Sequence, residues 1–471
     1  MFFTTELIAS STIITTIGAT SPPSTPSLSS TSSSASVLPS TIINTTLAST
    51  VINTTSVSTT VNTTSVSTII NTTSLPTITA WNVCLNLTTY TTGTSPIVAA
   101  VVDVNSDNKS DIIVVNYDSD DITVLLNGGN GTFLNPTTYS IGDGAQALTV
   151  VDVNSDSKPD IIVANANDND ISVLLNAKNG TFQNQTTYSA DSYPISMAVV
   201  DVNNDNKSDI IVANEGSDDV TVFLNGDNGS FQNQITYSAG SSPQTIAVID
   251  VNSDNKPDII TANIDSNNVS VLLNTGNGTF NAQTTYETGI SPITAAVVDV
   301  NSDNKPDIVA INSVSNSLSV LLNVGNGAFR SQPAYSVGSN PIAMTVVDVN
   351  SDNKPDFVVI NGDSNNLSVL LNAGNGTFRS QTTYSVGTNP TALTVVDMNG
   401  DNKPDIIVTN ADSNNLSILL NTGNGIFLNQ TTYLVGSRPY SVVVVDVNSD
   451  NKPDIVVTNF NSASISVLLH C

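Results

Sequence analysis

A nine-residue segment, DVNSDNKPD or a close variant, recurs eight times in this chain at a constant spacing of 49 residues. The copies begin at Asp103, Asp152, Asp201, Asp250, Asp299, Asp348, Asp397 and Asp446. A fixed period of this length indicates a repeat architecture, in which each unit buries its apolar face only against its neighbours. Residues 84–471 are therefore predicted to form one array of repeated units.

Each copy carries Asp at positions 1, 5 and 9 and Asn at position 3. Oxygen donors with this spacing suit a hard cation, calcium above all, with the backbone carbonyl of position 7 as a further ligand. The predicted side-chain ligands are Asp103, Asn105, Asp107, Asp111, Asp152, Asn154, Asp156, Asp160, Asp201, Asn203, Asp205, Asp209, Asp250, Asn252, Asp254, Asp258, Asp299, Asn301, Asp303, Asp307, Asp348, Asn350, Asp352, Asp356, Asp397, Asn399, Asp401, Asp405, Asp446, Asn448, Asp450 and Asp454. Eight copies predict up to eight Ca²⁺ ions, and the Lys at position 7 is expected to be solvated.

The net charge of −28 argues against nucleic-acid phosphates and anionic membrane surfaces as partners. Three Asp in each of eight copies account for 24 of the 40 acidic residues. Eight divalent ions would leave a net charge of about −12, which is ordinary for a soluble protein. No uncharged apolar stretch is long enough to suggest membrane insertion.

Residues 1–83 have a different composition, rich in Ser and Thr with one charged residue, Glu6. Four N-T-T sequons follow one another there at a period of nine, at Asn44, Asn53, Asn62 and Asn71. Such a segment lacks the apolar content for a core, so a disordered and glycosylated stalk is predicted.

The first residues, MFFTTELIASS, make a weak signal peptide because they lack a basic region and a strong apolar core. A true signal, a truncated gene start and an unusual leader all remain open. Sequons continue in the repeats at Asn86, Asn130, Asn179, Asn277 and Asn375. Together with the calcium segments, they favour a secreted, extracellular protein.

Each 49-residue unit predicts four strands, and the fold class is therefore all-β. In the unit around Asp299 these are ITAAVVDV, PDIVAIN, LSVLLN and, after a VGNGAF turn, PAYSVG. The first three are nearly continuous in Val, Ile, Leu and Ala, which is typical of strands buried on both faces. The fourth strands of the repeat alternate and are rich in Thr, as expected of outer strands.

The repeat does not begin and end at a unit boundary. It opens with a fourth strand, LTTYTTG, whose Tyr90 precedes Tyr139 by 49 residues, and it ends after a third strand, ISVLLHC. An N-terminal strand that completes the C-terminal blade closes a propeller without an exposed sheet edge. We therefore predict an eight-bladed β-propeller of four-stranded blades.

The two cysteines lie at the two ends of the repeat region. Cys84 takes the place of the turn residue Phe133, and Cys471 takes the place of Thr422. These places flank the turn between strands three and four, so a Cys84–Cys471 disulfide would replace the turn missing at the seam. Two unrelated thiols are the alternative. A disulfide would imply an oxidising compartment.

Over residues 84–471, the linked motifs D-x-N-x-D-x-K-P-D, I-I-V-x-N and S-V-L-L-N-x-G-N-G-T-F resemble the FG-GAP/VCBS repeat family. Its propellers include the headpiece of integrin α chains, which has seven blades with metal in only some. The resemblance implies a calcium-binding propeller whose partners bind the face opposite the loops. Position 6, usually Gly in the family, is here Asn, or Ser in the case of Ser157. Asn tolerates the left-handed conformation, so metal binding should survive.

An enzyme is disfavoured, because His470 is the single His and every Asp cluster is explained by metal. We therefore expect no catalytic residues and no cofactor other than calcium. Two hypotheses remain for a monomeric protein: an extracellular adhesion or protein-interaction scaffold with mainly structural calcium, and a lectin that binds glycans between blades or at the loops of the opposite face. Specificity would lie where the repeat consensus breaks, although neutral drift explains such breaks equally well. These positions are Tyr117, Gln146, Tyr193, Glu215, Gln244, Arg438 and Tyr440.

Overall fold

The computed structural model describes residues 83–471. Within them, eight antiparallel sheets of four successive strands form the eight blades of a β-propeller, which confirms the predicted fold. The signal segment and the stalk predicted for residues 1–83 lie outside the described residues, apart from Val83.

The first strand of each blade is the innermost and runs towards the Asp-rich loop. These strands span Pro96–Val102, Ala145–Val151, Pro194–Val200, Pro243–Ile249, Pro292–Val298, Pro341–Val347, Pro390–Val396 and Pro439–Val445. The second strands return from the loop and span Asp111–Asn116, Asp160–Asn165, Asp209–Asn214, Asp258–Asn263, Asp307–Asn312, Asp356–Asn361, Asp405–Asn410 and Asp454–Asn459. A β-bulge lies near the start of every first strand, at the end away from the loop.

The third strands span Asp121–Leu125, Asp170–Leu174, Asp219–Asn225, Asn268–Leu272, Ser317–Gly325, Asn366–Leu370, Asn415–Leu419 and Ser464–His470. The outer, fourth strands span Thr137–Ser140, Thr186–Ser189, Phe231–Ser238, Thr284–Glu287, Ala328–Ser331 with Tyr335–Ser336, Thr382–Ser385, Thr431–Leu434 and Leu85–Thr91. In five blades the turn between them forms a short hairpin of its own, at Asn127–Gly129 with Thr132–Phe133, Asn176–Lys178 with Thr181–Phe182, Asn274–Gly276 with Thr279–Phe280, Asn372–Gly374 with Thr377–Phe378, and Asn421–Gly423 with Ile426–Phe427. Blade 5 departs from the predicted single outer strand, because its fourth strand is split around Pro333.

The apolar core consists of eight clusters, one between each pair of neighbouring blades. In the first strand of blade 1, Val98 and Ala100 pack into the cluster shared with blade 2. Ala99 and Val101, which point to the other side of the sheet, pack into the cluster shared with blade 8. Each blade therefore needs both neighbours, which explains the continuous apolar runs.

Blade 8 closes the ring. Its outer strand is the N-terminal Leu85–Thr91, which pairs antiparallel with Ser464–His470 from Leu85 opposite His470 to Thr91 opposite Ser464. A Cys84–Cys471 disulfide continues this pairing, as predicted. The one helical element of the described chain is a single 3₁₀ turn at Phe460–Ser462, and no helix there could cross a membrane.

Candidate functional site

The Asp-rich segments form eight loops on one face of the ring, between the first and second strands. The Asp at position 1 organises each loop. In blade 1, Oδ1 of Asp103 accepts hydrogen bonds from the backbone N–H groups of Asn105 and Asp107, at 3.1 and 3.2 Å, and Oδ2 accepts one from Asn108 at 2.7 Å. The other seven loops repeat these bonds.

The loop conformation explains the residues at positions 4 and 6. Ser106 and Asn108 of blade 1 have φ values of 62° and 62°, and Ser157 of blade 2 has 65°. Asn visits this left-handed region more readily than most residues. The left-handed conformation expected of Asn at position 6 is therefore present, and the survival of metal binding stays a prediction. The left-handed conformation at position 4 was not predicted.

The side chains at positions 3 and 5 accept hydrogen bonds from the backbone of the same loop. In blade 1, Oδ1 of Asn105 accepts the N–H of Asp107 at 2.9 Å, and Oδ1 of Asp107 accepts the N–H of Lys109 at 3.0 Å. The Lys109 ammonium lies 2.9 Å from Oδ2 of Asp107 and lowers the pKa of that carboxyl. Six loops have this ion pair. The position-7 lysines were expected to be solvated only, but most of them form an ion pair with the Asp at position 5.

The Asp at position 9 is fully buried in every loop. In blade 5, Oδ2 of Asp307 accepts the N–H of Val300 at 3.0 Å, and Oδ1 accepts the N–H of Asn323 at 2.7 Å. Burial raises the pKa of Asp307 to about 6, with Asp303 and Asp299 as weaker causes. This carboxylate therefore ties the loop to the third strand of its blade, a role that the ligand pattern alone does not indicate.

An Asn at the end of the third strand connects neighbouring blades. In blade 2, Nδ2 of Asn176 donates to the carbonyl of Val104 in the loop of blade 1, at 2.8 Å, and to the carbonyl of Pro159 in its own loop, at 3.1 Å. Blades 1 to 7 all make this pair of bonds, and Asn127 closes the circle to Val447 of blade 8 at 2.7 Å. In blade 8 the place is taken by His470, whose Nδ1 has no hydrogen-bond partner.

The loop residues match calcium in donor chemistry, because the side chains at positions 1, 3, 5 and 9 all carry oxygen acceptors. Two of them, Oδ1 of Asn301 and of Asn350, are buried and accept no hydrogen bond. In the conformation described for residues 83–471, however, no three His, Cys, Asp or Glu side chains come together as a group that could hold a metal ion. The predicted ligand set therefore stays a prediction.

The residues that break the repeat consensus lie at the opposite face. Tyr117, Tyr193, Glu215 and Arg438 are in the predicted connections, whereas the prediction was wrong for three residues, each of which is the second residue of a first strand: Gln146, Gln244 and Tyr440. Tyr440 of blade 8 packs near Phe460, with ring centroids 6.0 Å apart, and shares an apolar cluster with Ile97 and Tyr117 of blade 1. The Arg438 guanidinium lies 5.4 Å from the centre of the Phe460 ring. Phe460 was not foreseen, although every other blade has a non-aromatic residue or Tyr117 at its position.

A family model described as FG-GAP-like repeat matches seven overlapping windows, namely residues 103–163, 152–212, 201–261, 250–310, 299–359, 348–408 and 397–457. Together these windows span well over half of the chain. The chain belongs to the FG-GAP-like repeat family. In this FG-GAP-like propeller each matched window begins at the first Asp of one loop and ends in the second strand of the following blade.

A sequence comparison with curated proteins gave no match. Among solved structures, the propeller is similar to a protein from Lactobacillus plantarum, with a TM-score of 0.48 and 12% identity over 75% of this chain and 97% of that one. It is also similar to an Agrocybe aegerita lectin that recognises non-reducing terminal N-acetylglucosamine. That match has a TM-score of 0.45 and 17% identity, and it covers 80% of this chain and 100% of the lectin. A third match, to virginiamycin B lyase from Staphylococcus aureus, has a TM-score of 0.45 and 15% identity and covers 82% of this chain and 99% of the lyase. These values are too low for any function of those proteins to be carried over.

Proposed function

We propose that this FG-GAP-like propeller is a secreted, calcium-binding, non-enzymatic scaffold for adhesion or protein interaction. The observation that carries the proposal is the contrast between the two faces of the ring. The loop face repeats one hydrogen-bonded geometry in all eight blades, whereas the opposite face holds the side chains that differ between blades. A rigid ring with one variable face suits partner recognition, because recognition residues are commonly placed on connections held by a fixed scaffold.

Calcium would be held by the side-chain oxygens at positions 1, 3 and 5 and by the carbonyl of position 7, with position 9 engaged through its remaining lone pairs. Its charge would offset the three Asp of each loop. In the six loops with a Lys ion pair, the position-5 carboxylate would exchange its Lys partner for the ion. In extracellular fluid, modules with dissociation constants of about 10⁻⁴–10⁻³ M are filled, so calcium would be mainly structural.

Secretion is supported by the Cys84–Cys471 disulfide, since such bonds persist in oxidising compartments. It is also supported by sequons in accessible turns. Asn130, for example, is exposed at the tip of the hairpin between the third and fourth strands of blade 1. An occupied glycan there would place the protein in the secretory route.

A calcium titration by calorimetry tests the central part of this proposal. Protein stripped with chelator should take up close to eight ions, one for each loop. The variant Asp299→Asn, which changes the position-1 ligand of blade 5, should take up one ion fewer. The control Asp363→Asn removes the same charge from the opposite face and should bind as many ions as the wild type. Absence of calcium uptake by the wild type would overturn the calcium part.

A glycan ligand is the second candidate. A propeller lectin is expected to present a sugar-stacking aromatic at the same position of several blades. In the described residues the opposite-face aromatics occupy single blades, with Tyr117 in blade 1, Tyr193 in blade 3, and Tyr440 and Phe460 in blade 8. This irregular placement favours a protein ligand. A glycan array would decide, because specific glycan binding would replace the protein-scaffold hypothesis.

A further inference from the structure

The opposite face is strongly asymmetric in charge. Ten carboxylates lie in its connections, or at the first residue of the third strand beside them, over blades 1 to 3, and we call this set the acidic sector. Its members are Asp118, Asp120, Asp121, Asp143, Asp168, Asp170, Asp191, Glu215, Asp218 and Asp219. The same part of blades 4 to 8 holds Asp265, Glu287, Asp363 and Asp412, together with the basic Arg438. The basic residues of blades 1 to 3, Lys109, Lys158, Lys178 and Lys207, belong to the loop face.

At two places of the repeat the fold does not require the charge. Asp121 accepts a hydrogen bond from Nδ2 of the buried Asn116 at 2.6 Å, and in blade 6 Asn366 accepts the equivalent bond from Asn361 at 2.8 Å. Every Asp at this place in blades 1 to 3 has an uncharged Asn counterpart in blades 4, 6 and 7, with the same partner.

The neighbouring place shows the same equivalence. Oδ1 of Asp218 accepts the backbone N–H of Ser242 at 2.8 Å, and Oδ1 of Asn365 accepts that of Asn389 at 2.8 Å. In both places the uncharged Asn makes the same bond to the backbone or to the buried Asn, and the one bond that the charge adds is the long contact of 3.4 Å from the Ser241 hydroxyl to Oδ2 of Asp218.

The added charges repel one another. Burial, and then the nearby Asp143 and Asp168, raise the pKa of Asp120. The pKa of Asp219 is likewise raised, first by burial and also by Asp191 and Asp218. A positively charged partner would relieve this repulsion, because a surface of one sign attracts the opposite sign.

Two tyrosines stand at the inner end of this sector. Tyr193 of blade 3 has a φ of 59°, at a position where six other blades have Ser, Gly or Asn. Burial, and then the neighbouring Tyr117 of blade 1 and Glu215, raise the pKa of its hydroxyl. Blade 2, which lies between the two tyrosines, has Gly144 and Ala166 at the equivalent positions. The two tyrosines therefore lie on either side of a blade whose residues at these positions are small and buried, and we call the place between their side chains the notch.

A half-buried carboxylate and an unpartnered acceptor lie next to Tyr193. Burial raises the pKa of Glu215, and a hydrogen bond from Gln244 acts in the opposite direction. Gln244 is the bulge residue of the first strand of blade 4 and is 2% exposed, yet its Oε1 has no hydrogen-bond partner. A buried acceptor without a donor is destabilising, so this place favours a ligand that brings N–H groups.

We propose that the acidic sector binds an arginine-rich segment of a partner protein, one arginine of which enters the notch formed by Tyr117, Tyr193, Glu215 and Gln244. A guanidinium is planar and always charged, it stacks on aromatic rings, and it carries five N–H donors. It can therefore satisfy the Glu215 carboxylate and the Gln244 oxygen together, which the compact ammonium of Lys does less well. This inference rests on the proposed role as an interaction scaffold.

Octa-arginine and octa-lysine peptides, measured by fluorescence anisotropy on the whole protein in saturating calcium, test the sector. The sector variant combines Asp120→Asn, Asp121→Asn, Asp170→Asn, Asp218→Asn and Asp219→Asn. Each substitution introduces the Asn that blades 4, 6 and 7 have at the equivalent position. The matched control removes the same number of charges elsewhere, by Asp227→Asn, Asp265→Asn, Glu287→Gln, Asp363→Asn and Asp412→Asn. We expect the sector variant to bind octa-arginine about tenfold or more weakly, and the control to stay within about twofold of the wild type.

The notch is tested by the preference for arginine over lysine. The wild type should prefer octa-arginine, and the preference should vanish in Glu215→Gln and in Tyr193→Asn, which introduces the residue found at Asn340 and Asn389. Melting temperatures close to that of the wild type exclude misfolding as the cause. Equal weakening in the sector variant and the control, or peptide binding that calcium abolishes, would overturn the proposal. Calcium uptake by the loops without peptide binding would overturn this inference alone.

Discussion

The hydroxyl of Tyr433 donates a 2.6 Å hydrogen bond to the backbone carbonyl of Val83, where the N-terminal strand enters the ring. At the other seven blade junctions the equivalent tyrosine meets a phenylalanine of the next blade edge to face, as Tyr384 meets Phe427 with ring centroids 5.5 Å apart. Between blades 7 and 8 that phenylalanine is replaced by Cys84. The disulfide and the Tyr433 bond therefore hold the one junction that lacks the aromatic pair.

Removing the disulfide should weaken the ring at this junction. Cys471→Ser is expected to lower the free energy of unfolding by about 2–5 kcal/mol, because the N-terminal strand is then held by hydrogen bonds and packing alone. A frayed strand exposes the edge of Ser464–His470, so oligomers formed by strand exchange should appear. Chemical denaturation and light scattering measure the two effects. Tyr433→Phe is the graded control, with an expected loss of about 1 kcal/mol and no oligomers. Unchanged stability in Cys471→Ser would show that the disulfide does not secure the seam.

The Asn at the end of the third strand predicts two opposite effects. Asn323→Ala should lower the free energy of unfolding by about 1–3 kcal/mol, because the carbonyls of Val251 and Pro306 lose their donor. His470→Asn should raise it by about 1 kcal/mol, since the new amide can reach the carbonyl of Met398 as the other blades do. Thermal unfolding measures both, with the exposed Asn281→Ala as a neutral control. A destabilised His470→Asn would mean that blade 8 differs in more than this side chain.

Much of the fold could be predicted from the 49-residue period of the sequence. The number of blades follows from the copies of the loop, and the closure follows from the strands at the two ends. The disulfide follows because Cys84 and Cys471 replace residues that flank one turn in every other unit. Each of these inferences compares a residue with its counterpart one period away, which the sequence displays.

The contacts between blades could not be predicted in the same way. Asn176 and Val104 are 72 residues apart, and Tyr139 and Phe182 are 43 apart. Neither separation equals the period, so repetition shows that these residues recur but not which of them meet. The position-9 Asp was assigned to metal on its chemistry, and only the structure shows that both of its oxygens bond to backbone N–H groups. The notch combines side chains of blades 1, 3 and 4, which no comparison of single units brings together.

A glycine in the turn between strands three and four predicts how closely the blades approach. Gly327 has a φ of 70°, and a Cβ there would lie 2.6 Å from Cδ2 of Leu273 in the preceding blade. Gly327→Ala should therefore be destabilising through the left-handed backbone, about 1–2 kcal/mol, and through the clash in addition. Gly400→Ala isolates the first effect, because Gly400 has a φ of 75° and nothing within 4 Å of a Cβ. Equal losses in the two variants, measured by urea unfolding, would mean that the turn moves away from its neighbour without penalty.

The buried position-9 carboxylates predict that calcium reverses the pH dependence of stability. Burial raises the folded-state pKa of Asp209, Asp258, Asp307, Asp356 and Asp405 to about 6, from an ordinary value of 3.8. Between these values the metal-free folded protein binds more protons than the unfolded chain, so its stability increases as the pH falls from 7 to 5 and decreases as the pH rises again.

With calcium bound, the ligand carboxylates must stay ionised, and their pKa values lie below those of the unfolded chain. That contribution is present above the unfolded values and is lost as the pH falls through the folded ones. Thermal unfolding at pH 7 and pH 5 should therefore give a higher melting temperature at pH 5 in chelator, and an equal or lower one in calcium. Because burial is the first cause of the raised pKa values, the increase in chelator should persist at about 1 M salt, where repulsion between surface charges is screened. The same trend with and without calcium would show that the ion does not engage these loops.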